Sequence, residues 1–222
     1  MKTKKLVIAG NTSNARLARY YFDIDSDYEV AAFAVNKEYI KEESFEGLPL
    51  TALEDIEKNY PVSEYELFIA VGYTDMNKIR EKLYYYCKEK GYTLANYISS
   101  RCSFLTQFPT GDNCFILEDN TIQPYVRIGN NVVLWSGNHI GHDVKIEDHN
   151  FISSHVVISG FVTVKRNCFI GVNATLRDAI TIAPETLIAA GAIIMKDTEE
   201  KGVYLPARST MFDKKSDEIK IS

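Results

Sequence analysis

Four histidines, His139, His142, His149 and His155, fall close together in the chain, and one of them is directly followed by a carboxylate: Gly141-His142-Asp143. An imidazole exchanges protons near neutral pH, and an adjacent carboxylate can fix its tautomer and stabilise the imidazolium, so this pair is a candidate general base. Taken alone, the same pair fits a turn that does no chemistry. His139 and His155 read equally as surface residues or as ligand contacts, and His149 as a solvated turn. Cys87, Cys102, Cys114 and Cys168 form no CxxC pair or zinc-ligand spacing, which suits free thiols in a reducing compartment. Near the start, the turn Gly10-Asn11-Thr12-Ser13-Asn14 lacks the GxGxxG of dinucleotide folds. Val35-Asn36-Lys37 offers no acid for a ribose diol, so NAD binding loses both of its markers.

The elements that must hold these residues come in two patterns. Up to about residue 97, strand-like runs (Lys5 to Gly10, Glu29 to Val35, Leu67 to Gly72, Tyr92 to Ile98) alternate with helical spacing at Ala15 to Phe22 and Asp75 to Lys90, the latter ended by Gly91. That alternation predicts a small parallel sheet with helices on its faces. From residue 98 the helical spacing stops and a period of six begins: every sixth position from Ile116 to Ile194 is Ile, Leu or Val, fourteen times in succession. Two residues earlier stands a smaller column, such as Cys114, Val126, Val132, Val144, Cys168 and Ala192. Three residues after the large position come Asn, Asp, Gly or His, among them Asp119, Asn131, Gly137, Asp143, Asn173 and Asp197, types that tolerate a left-handed turn. Short strands joined by tight corners every six residues predict a three-sided coil of eighteen residues per turn, so that residues eighteen apart stack.

Thirty acidic against twenty-five basic residues give a net charge of −5, which supplies no cationic surface and excludes nucleic acid as the expected partner. The opening MKTKKLVIAG has an apolar stretch of only five residues, read as a first strand rather than a signal peptide. No run is long enough to insert in a bilayer, and the expected location is cytoplasmic.

The six-residue repeat, together with an N-terminal α/β domain carrying Ala9-Gly10-Asn11 and Ile69-Ala70-Val71-Gly72, resembles the left-handed β-helix nucleotide-sugar acetyltransferases. These include the UDP-4-amino-sugar N-acetyltransferases and the sialic acid O-acetyltransferases. The resemblance implies a Rossmann-like nucleotide-sugar-binding domain over residues 1–97. It implies a left-handed parallel β-helix acyltransferase domain with a C-terminal tail over 98–222. It implies His142 as general base with Asp143, and a bare N–H at Gly160, one coil above, aimed at the acetyl carbonyl oxygen. Acetyl-CoA would be the co-substrate, met by His155, Gly160, Asn173, Ala190, Pro206 and Arg208. The nucleotide sugar would be held by Gly10, Asn11, Asn36, Lys37, Gly72 and Tyr73.

Such enzymes serve polysaccharide biosynthesis and are homotrimers, and a prism exposing Trp135, Phe151, Phe161 and Phe169 is compatible with a trimer. Some left-handed β-helices bind zinc through histidines two coils apart plus one five residues on; none of the four histidines has either separation, so no metal is expected. The leading reading is N-acetylation of a 4-amino-4,6-dideoxy sugar carried on a nucleotide. A sugar O-acetyltransferase uses the same base and oxyanion donor, and a non-catalytic sugar-binding scaffold would keep the same aliphatic ladder. The charged end from Asp213 to Ser222 is expected as a tail or short edge segment.

Overall fold

The computed structural model describes residues 2–211 and 213–219. The first part is a five-stranded sheet built from β1 (Lys4–Ala9), β2 (Tyr28–Val35), β3 (Ser44–Phe45), β4 (Leu48–Ala52) and β5 (Tyr65–Ile69), in the order β3-β4-β2-β1-β5. All neighbours are parallel except β3 and β4, a short hairpin that the sequence reading missed. Helix α1 (Ser13–Ile24) buries Ala15, Ala18 and Phe22 against the sheet. Helix α2 (Lys78–Glu89) starts later than its spacing suggests, because Asp75, Met76 and Asn77 all take left-handed backbone angles. Tyr92–Ile98 is not a sheet strand: Leu94 makes one bridge to Leu67, while Tyr97–Ile98 pairs with Phe115–Ile116 of the coil.

From there two-residue strands recur every six residues and stack in parallel eighteen apart, as in Val133↔Phe151 and Phe151↔Phe169. They form three faces. The first runs through Phe115, Val133, Phe151, Phe169 and Leu187; the second through Thr121, His139, Val157, Thr175 and Ile193; the third through Arg127, Lys145, Thr163 and Thr181. All fourteen large positions point inward and are buried, with the smaller column beside them. Three members of that column are asparagines. Asn138 and Asn150 use their Oδ1 to accept the N–H of the residue one coil on, Val156 and Cys168, each at 2.8 Å.

Every corner from Asn113 to Gly191 has positive φ, including Tyr125, Phe161, Ala179 and Glu185, whose side chains disfavour it. The left-handed turn costs such a residue roughly 1–2 kcal/mol. Each buried aliphatic contributes roughly 1.5–3 kcal/mol, so the ladder overrides local preference. Asp197 departs from the expected pattern. After Ile194 the period shortens, the left-handed residue is Lys201, and Val203–Tyr204 joins Leu187–Ile188 at a separation of sixteen. Among the tail residues, Ser216–Glu218 make a 3-10 turn; residues 220–222 lie outside the described set. Among the described residues no helix is long and apolar enough to cross a membrane.

The α/β part sits on the first face. Phe22, Phe68, Tyr97, Phe115, Val133 and Phe151 share one buried cluster. Its polar counterpart is Arg80 of α2, wholly buried at the corner between the third and first faces. Its guanidinium donates to Gly72 O, Asn77 Oδ1, Asn131 Oδ1 and the carbonyls of Asn131, His149 and Asn150, at 3.0–3.3 Å. Burial pushes it down to about 9, so it stays charged at neutral pH. A planar fork meets these acceptors and an ammonium cannot, so Arg80→Lys is expected to lower the unfolding free energy by about 2 kcal/mol or more, measured by urea titration.

Candidate active site

The corner between the second and third faces carries His142 and Asp143, held in place by coil geometry rather than by a helix or long loop. Asp143 is the left-handed residue (φ 58°), which swings its carboxylate back to His142: Nδ1 lies 3.0 Å from Asp143 Oδ2. A carboxylate only accepts, so Nδ1 carries the proton and Nε2 is left with its lone pair free. The His142 backbone N–H donates to Gln123 Oε1 at 2.8 Å. Phe161, one coil above Asp143, sets its ring edge-on to the imidazole at 4.9 Å between centroids. It is 59% exposed and held at φ 60°, a bulky residue kept where its backbone is strained.

Gly160 stacks one coil above His142. A Cβ built there would lie 2.9 Å from both Nε2 and Cε1 of His142, so a bare Cα is what leaves room for the ring. The neighbouring Gly141 is equally constrained, since a Cβ on it would meet Gly160 N at 2.7 Å. Among the described residues the Gly160 N–H takes no acceptor, while Phe161 N–H donates to His142 O. The corner therefore offers a free imidazole nitrogen, partly exposed to solvent, beside an uncommitted peptide N–H.

The residues expected to meet the co-substrate do not form one cluster within a chain. Gly160 lies on the His142 edge, whereas His155 and Asn173 lie on the edge between the first and second faces, because thirteen residues from His142 is not a whole coil. His155 packs its imidazole on Gly137, one coil below. Ala190 follows on that edge against Gly171, and Pro206 and Arg208 lie beyond the last strand.

The residues expected to hold the nucleotide sugar sit at the C-terminal ends of the parallel strands. Gly10 follows β1 with φ 139°, close to Ala70 O, and Asn11 continues from it. Gly72 and Tyr73 follow β5. Tyr73 is half exposed and rests on Phe151 and Phe169 at 4.9 and 4.5 Å. Asn36 and Lys37 follow β2 in an open groove with Glu54, whose carboxylate accepts the Lys37 N–H at 3.0 Å. Glu54 is thus an acid at that strand end which the sequence alone did not place there. Asn36 and Lys37 follow β2, the strand next to β1, whose end meets Gly10 through the Gly10 N–H to Ala34 O bond.

Two expectations are corrected. His149 is not solvated: α2 covers its corner and leaves it 2% exposed. Its Nδ1 accepts from Asn131 Nδ2 at 2.9 Å and its Nε2 faces Tyr85 OH at 3.3 Å. The aromatic face is not free either, since Phe151 is buried and Trp135 and Phe169 pack into the interdomain cluster; of the four named aromatics only Phe161 is exposed. The sequence reading passed over Gln123, and took Phe161 only as an aromatic of the prism face and not as a neighbour of His142. A phenylalanine at a corner position was the available signal for the latter.

Burial lowers the His149 pKa, a loss partly opposed by Glu81 and Asp148 and reinforced by Arg80 and Arg166. The folded chain therefore resists a proton that the unfolded chain accepts below about 6.5, and this contribution to stability, intact above that pH, is lost as pH falls. The melting temperature is expected to fall between pH 7 and 5, and His149→Asn to flatten that part of the profile, read by thermal scans across the range.

Residues 125–160 match the family described as Bacterial transferase hexapeptide (six repeats). Among solved structures, the acetyltransferase domain of PglB from Neisseria gonorrhoeae FA1090 superposes with a TM-score of 0.80 at 17% identity, over 92% of this chain and 100% of that one. PerB from Caulobacter crescentus, solved with CoA and GDP-perosamine, gives 0.78 at 20%, over 90% and 92%. WeeI from Acinetobacter baumannii AYE gives 0.76 at 17%, over 90% and 96%. The shared fold is an α/β domain followed by a left-handed parallel β-helix.

Proposed function

We propose that this protein is an acetyl-CoA-dependent N-acetyltransferase acting on a nucleotide-linked amino sugar of the 4-amino-4,6-dideoxy type. The observation that carries the reading is the His142 Nε2, freed by the Asp143 contact and set against the bare backbone of Gly160. As the sugar amine attacks the thioester carbonyl, Nε2 takes the proton that the nitrogen sheds. The Gly160 N–H receives the negative oxygen of the tetrahedral adduct, and Asp143 stabilises the imidazolium. Collapse breaks the carbon–sulfur bond, and His142 returns its proton to the departing thiolate. Imidazole, carboxylate and peptide N–H account for every proton and charge in the sequence, with no metal needed.

PglB supplies an acetyltransferase of the same fold, solved with acetyl coenzyme A, and PerB supplies one bound to CoA and a GDP-linked sugar. The first supports the acetyl donor proposed here, and the second supports the nucleotide-sugar acceptor. The Gly10 and Gly72 loops fit the nucleotide-sugar end, as strand ends of a parallel sheet do generally.

The reading places the reaction between subunits. The α/β part covers the first face, and His142 stands on the corner opposite that face. A sugar held at the strand ends of one chain reaches the His142 edge of another copy. In such an arrangement a second chain's His142 and Gly160 would face the edge bearing His155 and Asn173, forming one groove for the pantetheine arm. A homotrimer closes this head-to-tail arrangement on itself, with an intracellular pool of acetyl-CoA as the donor in the cytoplasm.

His142→Ala is expected to lower kcat by about 10^2- to 10^4-fold with the melting temperature unchanged, in an assay of thiol release from acetyl-CoA with UDP-, dTDP- and GDP-linked amino sugars. Thiol release only with hydroxyl sugars would replace the amine by a hydroxyl acceptor. Unchanged turnover would remove His142 from the chemistry. Gly160→Ala places a methyl against the imidazole and is expected to lose most of kcat. Light scattering is expected to give a trimer. Mixing His142→Ala chains with Tyr73→Ala chains under subunit exchange is expected to restore activity above that of either parent, and a failure to do so would place both halves of the site in one chain.

A further inference from the structure

Between the two domains, beneath the loop that follows β5, lies a small crevice of about 20 Å³. It is lined by Phe68, Ala70, Val71, Phe115, Val133 and Phe151 together with two side chains that carry polar atoms, Trp135 and Asn14. The Trp135 Nε1–H is shielded from solvent and has no hydrogen-bond partner. The Asn14 carboxamide, at the start of α1, takes no partner among the described residues, and its Nδ2 packs against Gly72 at the place where a Cβ would stand. An indole N–H shut away without an acceptor gives up roughly the free energy of a hydrogen bond, and native folds rarely leave one so. Here the orphan donor, an uncommitted amide and an aromatic wall converge next to Gly10, Gly72 and Tyr73.

We propose that this crevice belongs to the sugar subsite: a hexose lying over its mouth sends one oxygen, a hydroxyl or an acylamino carbonyl, to Trp135 Nε1, with Asn14 bonding the adjacent substituent. The space admits one hydroxyl- or methyl-sized group below the ring. Trp135 donates only, so it selects an oxygen acceptor and turns away an ammonium. The reactive amine therefore faces outward. Trp135 stands two residues before the Gly137 corner, on the edge that carries His155, and the outward side of the sugar ring would face a second copy's His142. The assignment rests on the nucleotide-sugar reading given above and adds the residues that distinguish a sugar nucleotide from the nucleotide alone.

Trp135 is the only tryptophan in the chain, so intrinsic fluorescence reports this crevice directly. Titrating the full-length protein with UDP-, dTDP- and GDP-linked amino sugars is expected to shift its emission, and the matching nucleoside diphosphates are expected to leave it unchanged. By calorimetry, Trp135→Phe, which keeps an aromatic ring and removes the N–H, is expected to weaken the sugar nucleotide about tenfold and the nucleoside diphosphate not at all, with KM for acetyl-CoA unaltered. Asn14→Ala, which leaves the interdomain aromatic cluster intact, is expected to show the same selective loss. Equal emission changes from sugar nucleotide and nucleoside diphosphate, or equal affinities in both variants, would overturn the assignment and leave the crevice to a single buried water. A sugar-specific emission shift without thiol release from acetyl-CoA would uphold the subsite while defeating the acetyl-transfer reading.

Discussion

The structure depends on one constraint: each chain turn of the coil must place its next aliphatic side chain directly over the one eighteen residues earlier. The only backbone that does this in six residues puts a left-handed residue at every corner, whatever side chain happens to be there. Asparagine, aspartate and glycine accept this readily, and Phe161, Tyr125 and Glu185 accept it because the ladder of buried Ile, Leu and Val outweighs their strain. The same stacking that makes the core also makes the site. Residues eighteen apart are forced into contact at the corners just as they are inside, and that is why His142 meets Gly160 without any loop having to fold back.

A second constraint decides what the site can reach. Arg80 sits in a nest of carbonyl and amide oxygens from both domains, and no carboxylate among the described residues pairs with it. A charge in that position is tolerated only while every acceptor stays in place. The corner residues beside it form a directed chain: Ile69 N–H to Asn113 Oδ1, Asn113 Nδ2 to Asn131 Oδ1, Asn131 Nδ2 to His149 Nδ1. Turning any one amide over would set donor against donor, so the network fixes the α/β part on the first face as a rigid attachment. The Gly10 and Gly72 loops and His142 are thereby kept on opposite sides of the prism.

The period of six and its eighteen-residue stacking were legible in the sequence because they follow from side-chain type alone, and so was the neighbourhood of His142 and Gly160. What covers each face was not. His142 and His149 are both corner histidines followed or preceded by an acid, yet one is half exposed and the other buried, and the difference lies in α2, far away in the chain. Phe151 and Phe169 read as aromatics on the outside of a coil, which they are. Nothing in their spacing says whether solvent, a second copy or the chain's own α/β part lies against them. Glu54 reached the end of β2 through a 3-10 turn after an unrecognised hairpin, so the acid there was invisible to a reading that looked only at the residues following β2.

Among the described residues two buried side-chain polar atoms lack a partner, and their settings differ in a way that matters. Asn120 Oδ1 lies inside the coil, where its own Nδ2 already donates to Leu117 O and Trp135 O at 2.9 Å, so the side chain is anchored and its unpaired oxygen is the residue of a geometry that satisfies its neighbours. Trp135 Nε1 has no such anchor: its only polar atom is the unpaired one, and it lies at the junction of two domains rather than within either. An interior tryptophan could have been a leucine or phenylalanine with no desolvation cost. Keeping the N–H at the end of the cleft, beside a second uncommitted amide, makes sense when the missing acceptor comes and goes with a ligand, whereas the Asn120 oxygen has no route by which one could arrive.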